Sequence, residues 1–372
     1  MLKTSGILII FSLFASLMQA ETSFETGTAG NSAAQANFIA DKPDTKNFRG
    51  RINGTTFRMR LTRDGVKLSG TYFYTKIGRE LKLAGTIDAA GKFKLKETDP
   101  SGKNTGEWQG TWTDDANSNG LTLQGIWKKP GDNNDGGFSF YATEQVIEFT
   151  NGAKFLDKTI KEIDKTKRSE IVSVYPEITG VDSAAAANLN KLTKDLVTAA
   201  NDGYKKAVAD FSAAEIKELP EGISLSNEVG YDVALANNDL VSLIFYNYNY
   251  LAGVHGNTAS ATINYDLKNN RELGLDDIFE PDSNYLKTIS DYSIADLKKR
   301  VSEMSDDEWI GRGAGANADN FQNWNLTKKG LMFTFDQYQV AAYAAGPQTV
   351  IIPFDKLKNI LRKDGAAANL AK

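Results

Sequence analysis

Apolar and polar residues alternate along residues 47–142 of the 372-residue chain. A glycine flanked at alternate positions by apolar residues recurs four times, in Val66–Tyr72, Leu81–Ile87, Trp108–Trp112 and Leu121–Trp127. A period of two is typical of β-strands with one buried face, and a glycine on that face lets a strand bend. Turn-forming pairs such as Asn53-Gly54 separate about eight such strands. Eight strands suffice to close a barrel, so we predict an antiparallel β-meander or small barrel.

The pattern changes over residues 143–363, where helical and strand-like spacings mix. A helix-like run extends from Ser183 to Ala213 with an apolar stripe, and a second helix begins near Asp282 or Ser283. The charged stretch KTIKEIDKTKRSE precedes the first of these helices and is interpreted as part of a polar join. We therefore predict all-β plus α+β: a barrel, then an α+β domain with an antiparallel sheet and flanking helices. Residues 364–372 are expected to form a tail.

The N-terminus has the layout of a secretory signal peptide over residues 1–20, with Lys3, an apolar run and Ala20. Residues 21–46 are rich in small and polar residues and are interpreted as a flexible leader. We expect an exported, bacterial protein in the periplasm or outside the cell, without a membrane span in the mature chain.

Composition removes several kinds of chemistry. The chain has no cysteine and one histidine, which excludes disulfides, thiol catalysis and metal sites with two histidine ligands. We expect no metal and no cofactor. The segment Asp115-x-Asn117-x-Asn119-Gly120 resembles half of a calcium loop, but Ile126 stands where a bidentate glutamate is needed, which favours a hairpin turn. The barrel tryptophans share the apolar face, which favours core packing over sugar stacking.

Three segments carry a family resemblance: VYPEITG at 174–180, YLAGVHGNTASATINYDLKNNRELGLDDIF at 250–279, and FDQYQVAAYAAGPQTVIIPFDKL at 335–357. Together they resemble an exported bacterial domain of unknown function. This domain is shared by the ectodomain of lysozyme-sensing anti-sigma factors and the accessory domain of some peptidoglycan deacetylases. The resemblance covers about residues 165–361 and implies ligand binding without chemistry. We expect neither sigma-factor regulation nor deacetylation, because the segments responsible for those activities are not evident.

His255, the only histidine, lies between Gly253 and Gly256. A catalytic imidazole needs a nucleophile or a positioned water and usually a carboxylate partner, and no motif supplies them. A structural role in a tight bend and a role in ligand recognition both remain open. Tyr338 and Tyr343 are further candidates for ligand contact, against the alternative that they lie in a strand pair closed by Gly346-Pro347.

Charge is distributed unevenly, with a net charge of +5 over residues 41–141 and −8 over residues 142–372. An acidic surface attracts a cationic protein such as lysozyme, although many soluble domains are acidic without such a role. Three hypotheses follow: a non-catalytic envelope protein that binds a protein such as lysozyme or a cell-wall glycan, a cell-wall hydrolase that uses His255, and an envelope protein whose barrel interior binds glycan or lipid. Nucleic acid is not an expected partner.

Overall fold

The computed structural model describes residues 42–75, 77–114, 118–131 and 136–371. The expected signal peptide, nearly all of the leader, and Asp115 and Asn117 of the calcium-like segment lie outside these ranges. The last leader residues belong to a strand that begins at Asp44. No helix within the described ranges combines the length and apolar character that a membrane span requires.

Eight antiparallel strands form a closed barrel in which the first strand pairs with both the second and the eighth. This confirms the predicted small barrel. Apart from the β1–β8 pair that closes the barrel, neighbouring strands follow chain order, as expected when short turns join them. The strands are β1 Asp44–Ile52, β2 Thr55–Asp64, β3 Lys67–Tyr74, β4 Leu81–Ile87, β5 Lys92–Thr98, β6 Asn104–Asp114, β7 Leu121–Lys128 and β8 Phe138–Gln145.

Aromatic and aliphatic side chains pack together inside the barrel. Trp108 lies at its centre, with its ring centroid 5.4 Å from Phe57, 5.1 Å from Tyr72 and 4.8 Å from Phe140. Trp112 is also buried, so these two tryptophans are core residues, as the sequence indicated. Packing of this kind counts against the hypothesis that the interior binds glycan or lipid.

The four repeated glycines lie where neighbouring backbones come close together. A Cβ built on Gly70 or Gly85 would lie 1.9 Å from a carbonyl oxygen of the adjacent strand, and one on Gly110 or Gly125 would lie 2.1 Å from such an oxygen. The crowding comes from the adjacent backbone rather than from the interior side chains. These glycines therefore permit the tight curvature of a small barrel.

The second half of the chain is built on a six-stranded sheet with the order β14-β13-β12-β11-β10-β9. The charged stretch predicted as part of a join instead spans the second half of the edge strand of this sheet, the following turn and the start of the next strand. Lys161, Glu162 and Asp164 in the edge strand are exposed, as is typical of edge strands. The non-strand connection from the barrel is limited to residues 146–153. The strands are β9 Lys154–Asp164, β10 Ser169–Thr179, β11 Leu225–Ala236, β12 Leu240–Tyr250, β13 Asn257–Asp266 and β14 Arg271–Glu272.

This sheet is antiparallel except between β10 and β11, which run parallel. The predicted α+β domain with an antiparallel sheet is confirmed apart from this one pair. Parallel neighbours need a crossover connection, which two helices, α1 Ala184–Ala209 and α2 Ala213–Glu218, provide. Ser183 caps α1 by accepting a hydrogen bond from the Ala186 amide. The predicted run to Ala213 is thus two helices, with Ser212 as the second cap.

A smaller three-stranded sheet follows, with α3 packed against its last strand. Helix α3 begins one or two residues after the predicted start, with Asn284 at its N-cap. Residues 364–371 are not a detached tail, because Ala367 is buried in the same core. The remaining elements are α3 Tyr285–Arg300, α4 Asp307–Gly313, β15 Trp324–Leu326, β16 Gly330–Phe335, β17 Gln348–Pro353 and α5 Phe354–Leu357, with short 3₁₀ turns at Leu275–Asp277, Ala318–Phe321 and Tyr343–Ala345.

Candidate functional site

His255 lies on the short loop that joins β12 to β13. Ala252 adopts a left-handed backbone conformation with φ of 60°, and Val254 is fully exposed at the tip. Gly256 returns the chain to the sheet, and a Cβ at this position would lie 2.3 Å from the ring of Tyr248. The loop therefore depends on glycine at position 256, and it holds the imidazole at the surface.

The three residues singled out from the sequence meet in space. The His255 and Tyr343 rings are stacked, with centroids 3.7 Å apart and planes inclined by 25°. The Tyr338 ring lies 5.6 Å from that of Tyr343, and its hydroxyl oxygen lies 3.5 Å from His255 Nε2. We call these three side chains the aromatic platform. His255 and Tyr338 are exposed and Tyr343 is half-buried.

One carbonyl fixes the platform to the sheet. The Tyr343 hydroxyl donates a hydrogen bond of 2.7 Å to the Gly256 carbonyl oxygen, and His255 Nδ1 lies 3.0 Å from the same oxygen. A neutral imidazole that donates from Nδ1 leaves Nε2 as an acceptor toward Tyr338. The ring contacts and the shared carbonyl hold the platform in one arrangement.

The segment that carries the two tyrosines is a loop with a 3₁₀ turn rather than the strand pair considered from the sequence. Asp336 accepts the amide hydrogen of Ser260 through both carboxylate oxygens at 3.1 Å, and Gln337 accepts that of Thr258 at 3.2 Å. Sequence reasoning missed these anchors, because a side chain that binds a distant backbone amide leaves no local pattern.

Tyr338 has an unusual backbone conformation. Its φ is 67°, in the left-handed region that favours glycine, and its carbonyl oxygen accepts a hydrogen bond of 2.9 Å from Trp309 Nε1. A bulky residue at positive φ is uncommon and strained. Strain of this kind is often retained at positions where a side chain must point in a particular direction.

The polar neighbours of the His255 imidazole are the Gly256 carbonyl and the Tyr338 hydroxyl, neither of which is the carboxylate that a catalytic imidazole usually needs. In the part of the chain that the structure describes, no group of three His, Asp or Glu side chains could hold a metal ion.

The uneven charge has a structural counterpart where the barrel meets the sheet. Arg49 pairs with Asp232 at 3.1 Å, and Arg58 pairs with Asp157 at 2.8 Å. The Arg58 guanidinium also lies 4.6 Å from the centre of the Tyr231 ring. Part of the acidic charge of the second half is therefore neutralised by the barrel rather than directed to a separate partner.

Two family models match the second half of the chain. Residues 162–258 match the model described as deacetylase PdaC, and residues 276–355 match that of DUF3298, a protein of unknown function. The first match contains His255, and the second contains Tyr338 and Tyr343. The predicted resemblance to a deacetylase-associated domain of unknown function is thus confirmed, and the link to anti-sigma factors remains a prediction.

Three individual proteins are similar to parts of this chain. The chain is 30% identical over 173 residues to the peptidoglycan-N-acetylmuramic acid deacetylase PdaC of Bacillus subtilis. The aligned region covers 44% of this chain and 37% of that protein. It is 21% identical over 145 residues to the immunogenic protein MPT64 of Mycobacterium tuberculosis, covering 39% of this chain and 62% of that one. A DUF3298-family crystal structure from Bacteroides fragilis aligns with a TM-score of 0.46 and 20% identity, over 60% of this chain and 98% of that one.

Proposed function

We propose that this protein is a non-catalytic binding protein of the bacterial cell envelope that contacts its ligand through the aromatic platform. The observation that supports this most directly is the convergence of His255, Tyr338 and Tyr343 into one exposed set of rings. Exposed aromatic side chains offer a large contact area at a small entropic cost, and they are enriched where proteins bind ligands.

The ligand we favour is the glycan of peptidoglycan. The relative from Bacillus subtilis is named as a deacetylase of N-acetylmuramic acid in peptidoglycan. The family model described as deacetylase PdaC matches residues 162–258, a range that includes His255. The apolar faces of sugar rings pack against aromatic side chains. The N-terminal segment with the layout of a signal peptide is in keeping with an exported protein.

A cationic protein such as a c-type lysozyme is the second candidate. It is supported by the net charge of −8 over residues 142–372 and by the resemblance to lysozyme-sensing domains. The ion pairs with barrel arginines reduce the share of that charge available for steering. We therefore rank it below the glycan.

Calorimetry with the mature chain at low salt can test both candidates, with soluble peptidoglycan fragments as one titrant and c-type lysozyme as the other. Tyr338→Ala and His255→Ala should each weaken binding of the true ligand by about tenfold, the loss expected for a central aromatic contact. Tyr141→Ala is a matched control, because Tyr141 is 49% exposed on the barrel and Tyr338 is 51% exposed. The Tyr141→Ala variant should bind the ligand as tightly as the wild type does.

The possible outcomes separate the hypotheses. The proposal is supported if the wild type binds the peptidoglycan fragments saturably and the platform variants do not. If only lysozyme binds, the ligand of the platform is a protein. A fall in stability with unchanged affinity in His255→Ala would return the imidazole to a structural role. If wild-type protein consumes peptidoglycan and His255→Ala does not, the hydrolase hypothesis replaces this one.

A further inference from the structure

A second surface, separate from the aromatic platform, lies between the barrel and the six-stranded sheet. It is a cleft of about 390 Å³, within the usual range for small-molecule sites. One wall comes from β1 and β2 of the barrel, and the other comes from β11 and β12 of the sheet. The charged residues of the lining are Arg49, Arg51, Arg58 and Glu228.

The arginines reach the cleft because of strand register. Arg49 and Arg51 occupy alternate positions on β1, and Arg58 lies directly opposite Arg49 on β2. Alternation directs these side chains outward while Phe48 and Ile52 face the barrel core. Like charges directly opposite each other destabilise a strand pair, so this arrangement needs negative charge nearby.

The sheet brings three carboxylates close to these arginines, one of which, Glu228, lines the cleft itself. Asp232 binds Nη1 of Arg49, and Asp157 binds Nε of Arg58. A guanidinium carries five N–H donors, so one ion pair leaves others directed elsewhere. Arg51 is exposed, and no ion pair to it is found among the residues that the structure describes.

The sheet wall is shaped to receive a guanidinium. A Cβ on Gly230 would lie 2.5 Å from Nη2 of Arg49, so the Arg49 head group lies against bare backbone. Two tyrosines, Tyr246 and Tyr248, line the same wall. Burial raises the pKa of both hydroxyls, and the carboxylate of Asp232, to which the Tyr246 hydroxyl is hydrogen-bonded, raises the pKa of Tyr246 further.

We propose that this cleft binds an anionic oxygen group, either a carboxylate or a phosphate, with Arg51 and Arg49 as its principal donors. Planar guanidinium groups match carboxylate and phosphate oxygens through paired hydrogen bonds. In the envelope, carboxylates are carried by wall glycans and their peptides, and phosphates by other polymers. The site does not depend on the function proposed for the aromatic platform.

The full chain can be titrated with three small probes in phosphate-free buffer at low salt, with binding followed by NMR chemical shifts. N-acetylmuramic acid and N-acetylglucosamine differ in the lactyl group that carries the carboxylate, and glycerol 3-phosphate supplies the phosphate. The proposal expects saturable, millimolar chemical-shift changes at the cleft residues with at least one anion, and none at those residues with N-acetylglucosamine. The stronger anion identifies the source of the ligand.

Two variants and a control complete the test. Arg51→Gln should weaken anion binding by about tenfold, because a charge-assisted hydrogen bond is lost. Arg60→Gln is the matched control, because Arg60 on β2 is exposed like Arg51 but lies outside the cleft. Gly230→Ala keeps every charge and displaces only the flexible end of Arg49, so it should also weaken binding.

The proposal is overturned if no anion shifts the signals of the cleft residues, if N-acetylglucosamine shifts them as strongly as N-acetylmuramic acid, or if Arg51→Gln and Arg60→Gln weaken binding equally. Equal weakening in the two variants would indicate that the anions are attracted by the net positive charge of the whole barrel rather than bound in the cleft. His255→Ala should retain anion binding, so failure of the platform proposal and failure of this one give different results.

Discussion

Arg49 and Arg58 lie directly opposite each other on adjacent barrel strands, and each is paired with a different carboxylate of the sheet. The arrangement makes the barrel and the sheet electrostatically dependent on each other. Without the sheet, two positive charges would face each other without compensation. The ion pairs are largely shielded, with side-chain exposures of 18% for Arg49 and 19% for Asp232.

Asp232→Asn should therefore lower the free energy of unfolding by about 1–3 kcal/mol, the range expected when a shielded charge loses its partner. The loss should be greater at low salt, where repulsion between the arginines is less screened. Urea unfolding at two salt concentrations measures both effects. Asp195→Asn is the control, because Asp195 forms an exposed pair with Lys191. Equal losses in the two variants would contradict this account.

Glu97 is a buried carboxylate inside the barrel, 2% exposed. Its Oε2 accepts hydrogen bonds from the Tyr72 hydroxyl at 2.8 Å, Trp127 Nε1 at 2.8 Å and Trp108 Nε1 at 3.1 Å. Thr105 donates to the other oxygen at 2.7 Å. Every one of these neighbours is a donor, which is why a negative group can be buried here.

Glu97→Gln should destabilise the protein by about 2–3 kcal/mol, because the amide introduces a donor among donors and removes the charge that strengthens the bonds. Unfolding followed by tryptophan fluorescence reports directly on this region. Glu107→Gln is a suitable control, since Glu107 is exposed on β6, and it should change stability by less than about 0.5 kcal/mol. A small effect of Glu97→Gln would mean that the network is not a major source of barrel stability.

Two glycines should respond to alanine with opposite signs. Gly110→Ala places a Cβ 2.1 Å from the Gln124 carbonyl oxygen, and the resulting backbone shift should reduce stability by about 1–3 kcal/mol. Gly203→Ala lies within α1 with nothing within 4 Å of the new Cβ, so it should increase stability by about 0.5–1 kcal/mol. Thermal unfolding of both variants is sufficient. A stable Gly110→Ala would show that the barrel strands can move apart at that point.

The strained backbone of Tyr338 leads to a prediction about function as well as stability. Tyr338→Gly should be more stable than Tyr338→Ala by about 1 kcal/mol, because only glycine adopts a φ of 67° without strain. Both variants should lose the same ligand affinity, since both remove the phenol from the platform. Chemical unfolding and calorimetry measure the two quantities separately. If Tyr338→Ala were more stable than Tyr338→Gly, the backbone at position 338 would not be strained.

The barrel was the more predictable half because its strands have one buried and one exposed face, which alternation records directly. The two-residue turn at Asn53-Gly54 even fixes the register of β1 and β2, from Ile52 opposite Thr55 to Arg49 opposite Arg58. The arginine pair was thus implicit in the sequence. The cleft was not, because its other wall belongs to a distant part of the chain.

The second half was harder to predict for physical reasons. Strand β9 is an edge strand whose last four residues, which include Lys161, Glu162 and Asp164, are all exposed, so this part of its sequence resembles a solvated connection. The parallel pairing of β10 depends on a helical crossover rather than on any feature of the strand itself. His255, Tyr338 and Tyr343 could be selected as candidates, but their stacking depends on Asp336 binding the Ser260 amide.

Tyr248 lines the cleft between the barrel and the sheet, and it also supports the loop that carries His255 of the aromatic platform. Its ring occupies the space where a Cβ of residue 256 would lie, directly beneath the loop of His255, and the same side chain lines the arginine cleft. A ligand that displaced this ring in the cleft would change the support of the His255 loop, and a ligand that displaced it at the loop would change the lining of the cleft. Thermodynamic linkage makes such an effect reciprocal: whatever factor an anion in the cleft applies to affinity at the platform, a platform ligand applies to the anion. The Tyr248 side chain would then couple ligand binding at the two surfaces.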